Sequence, residues 1–340
     1  VVLINGYQDP PCEAVTAEGT FGQLPQRLRD LGREVVYFNN CSVPAPAGAT
    51  RPSLENMSAA LGERIASINA PQVDVVVHSM GGLILRSYLS GKQAAAGTFR
   101  PPAAHKVRKA VFLATPHFGP GLASLLLGVR GQDPQVRAIM PGSQFILDLA
   151  TWNQGGDDLN GVDAVAIAGS ISGNTDGLVP VPSASISFAA PAERTRVIPY
   201  CHTNVGLLAA ACANPPYIAN VNSDDHLSWR IIRSFLTGTD EWRSLGTSVS
   251  EEATASTRGG LLVVPRDKDN NAINGVLGVT AGTTALQRVT EHYYAEQIAT
   301  GAQNLSINTP SGPVTAPQTV TGGLYSVAIV KPGPFAAAAL

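Results

Sequence analysis

The stretch Val73-Asp-Val-Val-Val-His-Ser-Met-Gly-Gly82 runs an apolar strand straight into a serine, and the helix-like Leu83-Ile-Leu-Arg-Ser-Tyr-Leu89 follows at once. So sharp a strand-to-helix turn forces its central residue, Ser79, into a strained backbone conformation. Small residues must stand nearby for helix and strand to approach. The turn lifts the serine hydroxyl above the sheet edge and aims a helix N-terminus at it. It also turns the N–H of Met80 toward a developing oxyanion. The chemistry this suits is nucleophilic attack on an acyl carbonyl, which needs an imidazole base and a carboxylate to steady it. Six histidines form the pool for the base: His78, His105, His117, His202, His226 and His292.

On these residues the chain resembles the α/β-hydrolase family, specifically its lipases and esterases with a GxSxG nucleophile elbow. Gly81 supplies the second glycine, and Val77 stands where the first is usual. Two further motifs carry the resemblance. Val1-Val-Leu-Ile-Asn-Gly-Tyr-Gln8 is similar to the family's first visible strand, which usually ends in His-Gly. Mapped here, the residue after Gly6 gives the second oxyanion N–H, that of Tyr7, beside that of Met80. Ser172-Gly-Asn-Thr-Asp-Gly-Leu-Val-Pro-Val-Pro182 resembles the family's acid loop after the seventh strand and implies Asp176 as the carboxylate. Asp148, Asp157, Asp158 and Asp163 are weaker candidates, since none follows a strand in this way.

The base is less settled. His78 adjoins the nucleophile and is expected to point elsewhere. His105 precedes a strand, and His292 lies in the C-terminal part. His117, in Leu113-Ala-Thr-Pro-His-Phe-Gly119, resembles a TPHxG motif that shapes a loop. His202 directly follows the run Arg196–Pro199, where the family order expects a base. His226 opens the terminal helical stretch Asp225-His-Leu-Ser-Trp-Arg-Ile-Ile-Arg-Ser-Phe-Leu236, and the family's histidine commonly stands just before that helix. The favoured triad is Ser79, Asp176 and His226, with His202 as the alternative base.

The elements that must position these groups alternate between apolar runs and amphipathic segments over the first 240 or so residues, as βαβ units do. Strands are expected at Val1–Ile4, Glu34–Phe38, Val73–Val77, Val107–Leu113, Ala164–Ala168 and Arg196–Pro199. Their Val and Ile content suits a parallel sheet covered on both faces. Leu54, Met57, Leu61, Ile65 and Ile68 share one helical face behind the cap Ser53, and Leu24, Leu28 and Leu31 share another. The resemblance implies an α/β-hydrolase domain over residues 1–245 with a reduced parallel sheet of about six strands. It also implies a helical cap within 118–160, where Leu125, Leu126, Leu127 and Ile146 line an acyl pocket or serve as core. After Trp242 the chain turns rich in Ser, Thr and Gly. The short runs Gly260–Pro265, Gly275–Thr280, Asn304–Asn308 and Leu324–Val330 then predict a small all-β module over residues 246–340.

Composition narrows the function. Among 340 residues, 23 basic and 25 acidic side chains give a formal charge of −2, which argues against a nucleic-acid partner. No run resembles a transmembrane span: the longest apolar stretch, near residues 110–129, holds two prolines and a histidine. Four cysteines allow three pairings. Cys12–Cys41 and Cys201–Cys212 each close a loop and are favoured over free thiols, and the absence of CxxC spacing argues against zinc. Asp267-Lys-Asp-Asn-Asn271 lacks the glycine and terminal glutamate of a calcium loop and reads as a solvated turn. The chain opens without Met, from which a removed signal peptide and secretion are expected.

The resemblance implies a serine carboxylester hydrolase, a lipase or esterase, with no cofactor and no metal. Its substrate is a small-molecule or lipid ester, which leaves room for contact with a lipid interface. The same triad serves an acyltransferase or a hydrolase of a polyester or lipid-anchor ester. A non-catalytic surface-binding protein on a hydrolase scaffold, motivated by the terminal module, is the reading of another class.

Overall fold

Alternate side chains of the apolar strands sort into two cores. Val2, Ile4, Val75, Val77, Ala110, Phe112, Ala164 and Ala166 join one hydrophobic cluster. Leu3, Val76, Val111, Leu113, Val165, Ile167 and Ile198 join another. Because successive strand residues face opposite ways, this division requires a sheet buried on both faces. The computed structural model describes residues 1–8, 12–121, 133–152, 157–171, 174–203, 216–251, 257–267, 273, 275–289, 292–310, 312–322 and 325–330.

The sheet is formed by β1 (Val2–Ile4), β2 (Val36–Phe38), β3 (Val73–His78), β4 (Val107–Leu113), β5 (Asp163–Gly169), β6 (Thr195–Ile198) and β7 (Thr247–Ser248). They lie in the order β2-β1-β3-β4-β5-β6-β7. The first six are parallel, and the short β7 pairs antiparallel to β6 at the edge. The expected six-stranded parallel sheet is therefore present, with one antiparallel strand added just past residue 245.

Helices α1 (Ala17–Phe21), α2 (Leu24–Asp30), α3 (Leu54–Ser67) and α4 (Met80–Ser90) precede β4. Ser53 caps α3 in a reciprocal capping box with Asn56, and Leu54, Met57, Leu61 and Ile65 are buried. Ile68, expected on that face, is instead the C-cap of α3. Leu24 and Leu28 of α2 are buried, whereas Leu31 lies at its C-cap and is exposed. Between β4 and β5 stand α5 (Pro134–Ile139) and α6 (Gln144–Thr151), the helical insertion foreseen after residue 118. Ile146 of α6 is buried in the core with Leu149. Leu125, Leu126 and Leu127 lie outside the described residues. The short α7 (Val181–Ala184) follows β5, and α8 (Leu227–Thr237) covers the other face of the sheet.

Two four-stranded sheets follow. They comprise β8 (Arg258–Pro265), β9 (Gly278–Ala281), β10 (Thr284–Ala285), β11 (Gln287–Val289), β12 (His292–Ala299), β13 (Gly301–Thr309), β14 (Gly312–Val320) and β15 (Tyr325–Val330). One sheet runs β10-β9-β13-β14, the other β11-β12-β8-β15, and they share a core that includes Leu261, Val263, Leu305 and Ile307. This part does not stand apart from the first. Leu262, Val264 and Tyr294 pack with Phe118, from the loop after β4, and with Leu147 and Ala150 of α6. Tyr325 stacks on Phe118, with ring centroids 4.7 Å apart and planes 8° from parallel. Residues 268–271 of the Asp267–Asn271 turn lie outside the described residues.

Candidate active site

Ser79 sits between β3 and α4 with φ 53° and ψ −128°, a conformation strained for a residue with a side chain. Its neighbours explain how the turn is tolerated. The Ser79 N–H donates to the Leu113 carbonyl at 2.9 Å, which extends the β3–β4 pairing by one residue. A Cβ on Gly81 would lie 2.6 Å from the Asn5 carbonyl oxygen, and one on Gly82 would lie 2.0 Å from Thr115 Oγ1. Both glycines are therefore required for α4 to start this close to β1 and to the loop after β4. Val77, in place of the usual first glycine, is turned into the core. Gly6 faces the serine itself: a Cβ there would meet Ser79 Cβ at 2.9 Å.

The imidazole that reaches Ser79 is that of His202. Its Nε2 lies 2.9 Å from Ser79 Oγ, and its Nδ1 lies 2.7 Å from Asp176 Oδ2. An ionised carboxylate only accepts, so Nδ1 carries the proton and Nε2 is left to accept from the serine hydroxyl. His202 is tied to the acid a second time, its backbone N–H donating to the Asp176 carbonyl at 3.0 Å. Asp176 is fully buried and held from behind. Its Oδ1 accepts the N–H groups of Leu178 at 2.9 Å and Val179 at 2.7 Å. The loop turns through positive φ at Asn174 and Gly177. Gly169, at the end of β5, is the residue that lets the two loops meet. A Cβ there would lie 2.2 Å from the Tyr200 carbonyl oxygen and 2.6 Å from Asp176 Cβ.

His226, the base favoured from the sequence, is elsewhere. It is the N-cap of α8, and its ring meets Tyr200 edge-on at 4.7 Å. The chain reaches His202 only four residues beyond the end of β6, so the imidazole beside Ser79 is delivered before the terminal helix begins. His226 supports that segment from behind, and the neighbouring Leu227 N–H donates to Tyr200 Oη at 3.0 Å. Burial, opposed by a backbone hydrogen bond with Tyr217 and helped slightly by the Arg27 charge, pushes His226 down to about 4. The unfolded chain protonates this imidazole near 6.5, so between these values the unfolded state binds the extra proton. Stability is then fully present above about pH 6.5 and falls as pH drops toward 4. The melting temperature should therefore decrease from about pH 7.5 to about pH 5, and the decrease should shrink in His226→Gln. An unchanged slope in that variant would remove His226 from the cause.

His78 does not point away from the site as expected. Its ring packs against His202 at 4.9 Å, tilted by 38°. Burial, and then the neighbouring His202 imidazole, hold His78 well below the usual histidine range. It therefore stays neutral when His202 takes up a proton. His117 is buried between Phe112 and Phe188 beside the guanidinium of Arg86, in keeping with a structural part.

Of Tyr7 and Met80, expected to supply the oxyanion N–H groups, Met80 adjoins Ser79 in the chain and Tyr7 adjoins Gly6, the residue that faces the serine. Met80 is the first residue of α4, where N–H groups have no intrahelical acceptor. Tyr7 follows Gly6. The Tyr7 hydroxyl donates to Asp133 Oδ2 at 2.9 Å, and Arg51 reaches the same carboxylate at 2.5 Å and the Gln8 carbonyl at 2.6 Å. Burial pushes the Asp133 carboxyl up, but the hydrogen bonds from Tyr7 and Gln135 and the Arg51 charge outweigh it and leave it below the usual carboxylate range. Sequence reasoning missed this clamp, because no local pattern links residues so distant in the chain. Cys12 and Cys41 form a disulfide. Cys201 is disulfide-bonded too, and its expected partner Cys212 lies outside the described residues. No group of side chains suited to hold a metal ion occurs among the described residues.

No protein-family model matches the sequence, and no curated protein matches it either. Solved structures do. Phospholipase PlaB from Legionella pneumophila superposes over 97% of this chain and 92% of its own, with a TM-score of 0.68 at 13% identity. The same phospholipase in complex with thio-NAD matches over 97% and 93%, with a TM-score of 0.66 at 12% identity. The mature form of the Bacillus licheniformis lipase BlEst2 aligns over 55% of this chain and 79% of its own, with a TM-score of 0.41 at 19% identity. The sheet order, the serine elbow and the PlaB likeness define an α/β-hydrolase fold, followed by a small β module.

Proposed function

We propose that the protein is a serine carboxylester hydrolase that cleaves acyl esters, lipid esters among them. The observation that carries this reading is a single imidazole, His202, within hydrogen-bond reach of both Ser79 and Asp176. His202 Nε2 takes the Ser79 proton as Oγ attacks the ester carbonyl. Asp176 fixes the tautomer and stabilises the imidazolium. The N–H groups of Tyr7 and Met80 receive the oxyanion. Collapse expels the alcohol with the proton from His202, and water clears the acyl-enzyme by the same base. PlaB is a phospholipase by name, and its likeness over both parts of the chain supports a lipid ester as the substrate class.

The disulfide Cys12–Cys41 supports an oxidising compartment, hence a secreted protein. No helix among the described residues is long and apolar enough to cross a membrane. The β module supports the reading as well, since it seats against α6 and Phe118 and so belongs to the hydrolase's own architecture.

The test uses the full chain, a chain-length series of p-nitrophenyl esters and a fluorophosphonate probe. Ester turnover and probe labelling at Ser79, both lost in Ser79→Ala, are the expected results. Absence of turnover together with an unlabelled Ser79 would leave a binding protein on a hydrolase scaffold.

A further inference from the structure

The oxyanion reading assigns one donor to the N–H of Tyr7. That N–H belongs to the Gly6–Tyr7 peptide unit, which is planar and trans, so it points opposite to the Gly6 carbonyl. Whatever holds the carbonyl therefore aims the N–H. The strand ladder does not extend this far: β1 ends at Ile4, and its register with β2 and β3 stops there. Gly6 adds freedom where precision is needed, because the approach of Ser79 leaves no room for a side chain.

A buried asparagine takes the place of the ladder. Asn40 Nδ2 donates to the Gly6 carbonyl at 3.1 Å and to the Asn5 carbonyl at 2.6 Å. The Asn40 backbone N–H in turn donates to Asn5 Oδ1 at 3.0 Å. Asn5 and Asn40 are 0% and 1% exposed, so water does not compete for these bonds. Asn40 is itself fixed. Asn39 accepts from the Cys41 N–H at 3.1 Å and donates to the Cys12 carbonyl at 3.0 Å, and the disulfide between those two cysteines closes the same corner. A donor on the Gly6 oxygen also polarises the peptide and strengthens its N–H as a donor.

We infer that Asn40 is a positioning residue for the oxyanion hole, its side-chain amide orienting the Gly6–Tyr7 peptide so that the Tyr7 N–H meets the developing oxyanion. The inference rests on the serine-hydrolase reading. It assigns a role to the sequence Asn39-Asn40-Cys41, and it explains why Asn5 stands before Gly6.

Asn40→Asp keeps the shape and removes both donors; Asn40→Ser is smaller and uncharged. Each is compared with the wild-type chain for kcat and KM on p-nitrophenyl butyrate, for the pH profile of kcat/KM, and for inhibition by an alkyl boronic acid that adds to Ser79 as a tetrahedral anion. Loss of one oxyanion donor typically costs about 10²–10³ in kcat, so a misaimed donor should cost about 10–100-fold. KM should stay within about threefold, the pH midpoint should not move, and boronate affinity should fall in parallel with kcat/KM. Unchanged kcat, a change confined to KM, or undiminished boronate affinity overturns the inference, as does loss of fold in both variants. An active wild type with equally active Asn40 variants sinks this inference alone. A wild type that neither hydrolyses esters nor reacts at Ser79 sinks the hydrolase reading beneath it.

Discussion

Replacing His202 with alanine is expected to lower kcat for ester hydrolysis by about 10⁴–10⁶-fold, whereas replacing His226 should cost less than about tenfold. The two histidines are both buried and both close to the end of the sheet, so only geometry separates them. His202 spans Ser79 and Asp176 at 2.9 and 2.7 Å. His226 meets Tyr200 instead. The comparison has an internal check: the double variant Ser79→Ala/His202→Ala should be no slower than either single one, because the residues act as a unit. Activity that survives His202→Ala and vanishes in His226→Ala would overturn the assignment.

The second large effect concerns stability and the cap. Lys92, just past α4, is almost fully buried with its ammonium 2.9 Å from Asp148 of α6 and 3.6 Å from Glu55 of α3. Arg86 of α4 donates to the Leu149 carbonyl of α6 at 2.8 Å. Two buried cations thus tie this cap helix to the core. In Lys92→Met, the Asp148 carboxylate is left buried with, among the described residues, the Gln144 amide at 2.7 Å as its remaining side-chain partner. Breaking one side of such a pair typically costs about 3–5 kcal/mol. Lys92→Met/Asp148→Leu should recover most of it, since an apolar pair of similar volume removes the stranded charge. Denaturant unfolding of the four proteins gives the cycle directly. A single variant within about 1 kcal/mol of wild type would show that the charges are solvated and the tether is weak.

How far the sequence carried differs by element. The large sheet was legible because Val, Ile and Leu alternate into two opposite cores, and the six expected strands fall on β1 to β6. The serine elbow and the acid loop were legible because both are local, each within about ten residues. The base was not. Both His202 and His226 follow the last long strand, and the family pattern of a histidine before the terminal helix favoured the one that the structure places away from Ser79. The short run of chain from the end of β6 to His202 was the better guide than the distance to the terminal helix.

In the β module, β14 was missed because Pro313 and Pro317 disqualify a central strand. It lies at a sheet edge, pairing only β13. β12 was hidden by a register shift between Ala295 and Ile298 that breaks its alternation. The clamp of Tyr7, Arg51 and Asp133 and the pairing of Asn5 with Asn40 were out of reach, since each joins residues that only the folded sheet edge brings together.

The stack of Tyr325 on Phe118 bears on how the protein can be handled. A chain trimmed at residue 245 would carry Phe118, Leu147 and Ala150 into water, an oily seam across α6 and the loop after β4. Such a truncate invites clumping during expression. Anyone seeking a smaller biocatalyst from this scaffold should keep β8 and β15 in place, or redesign that seam with polar residues first.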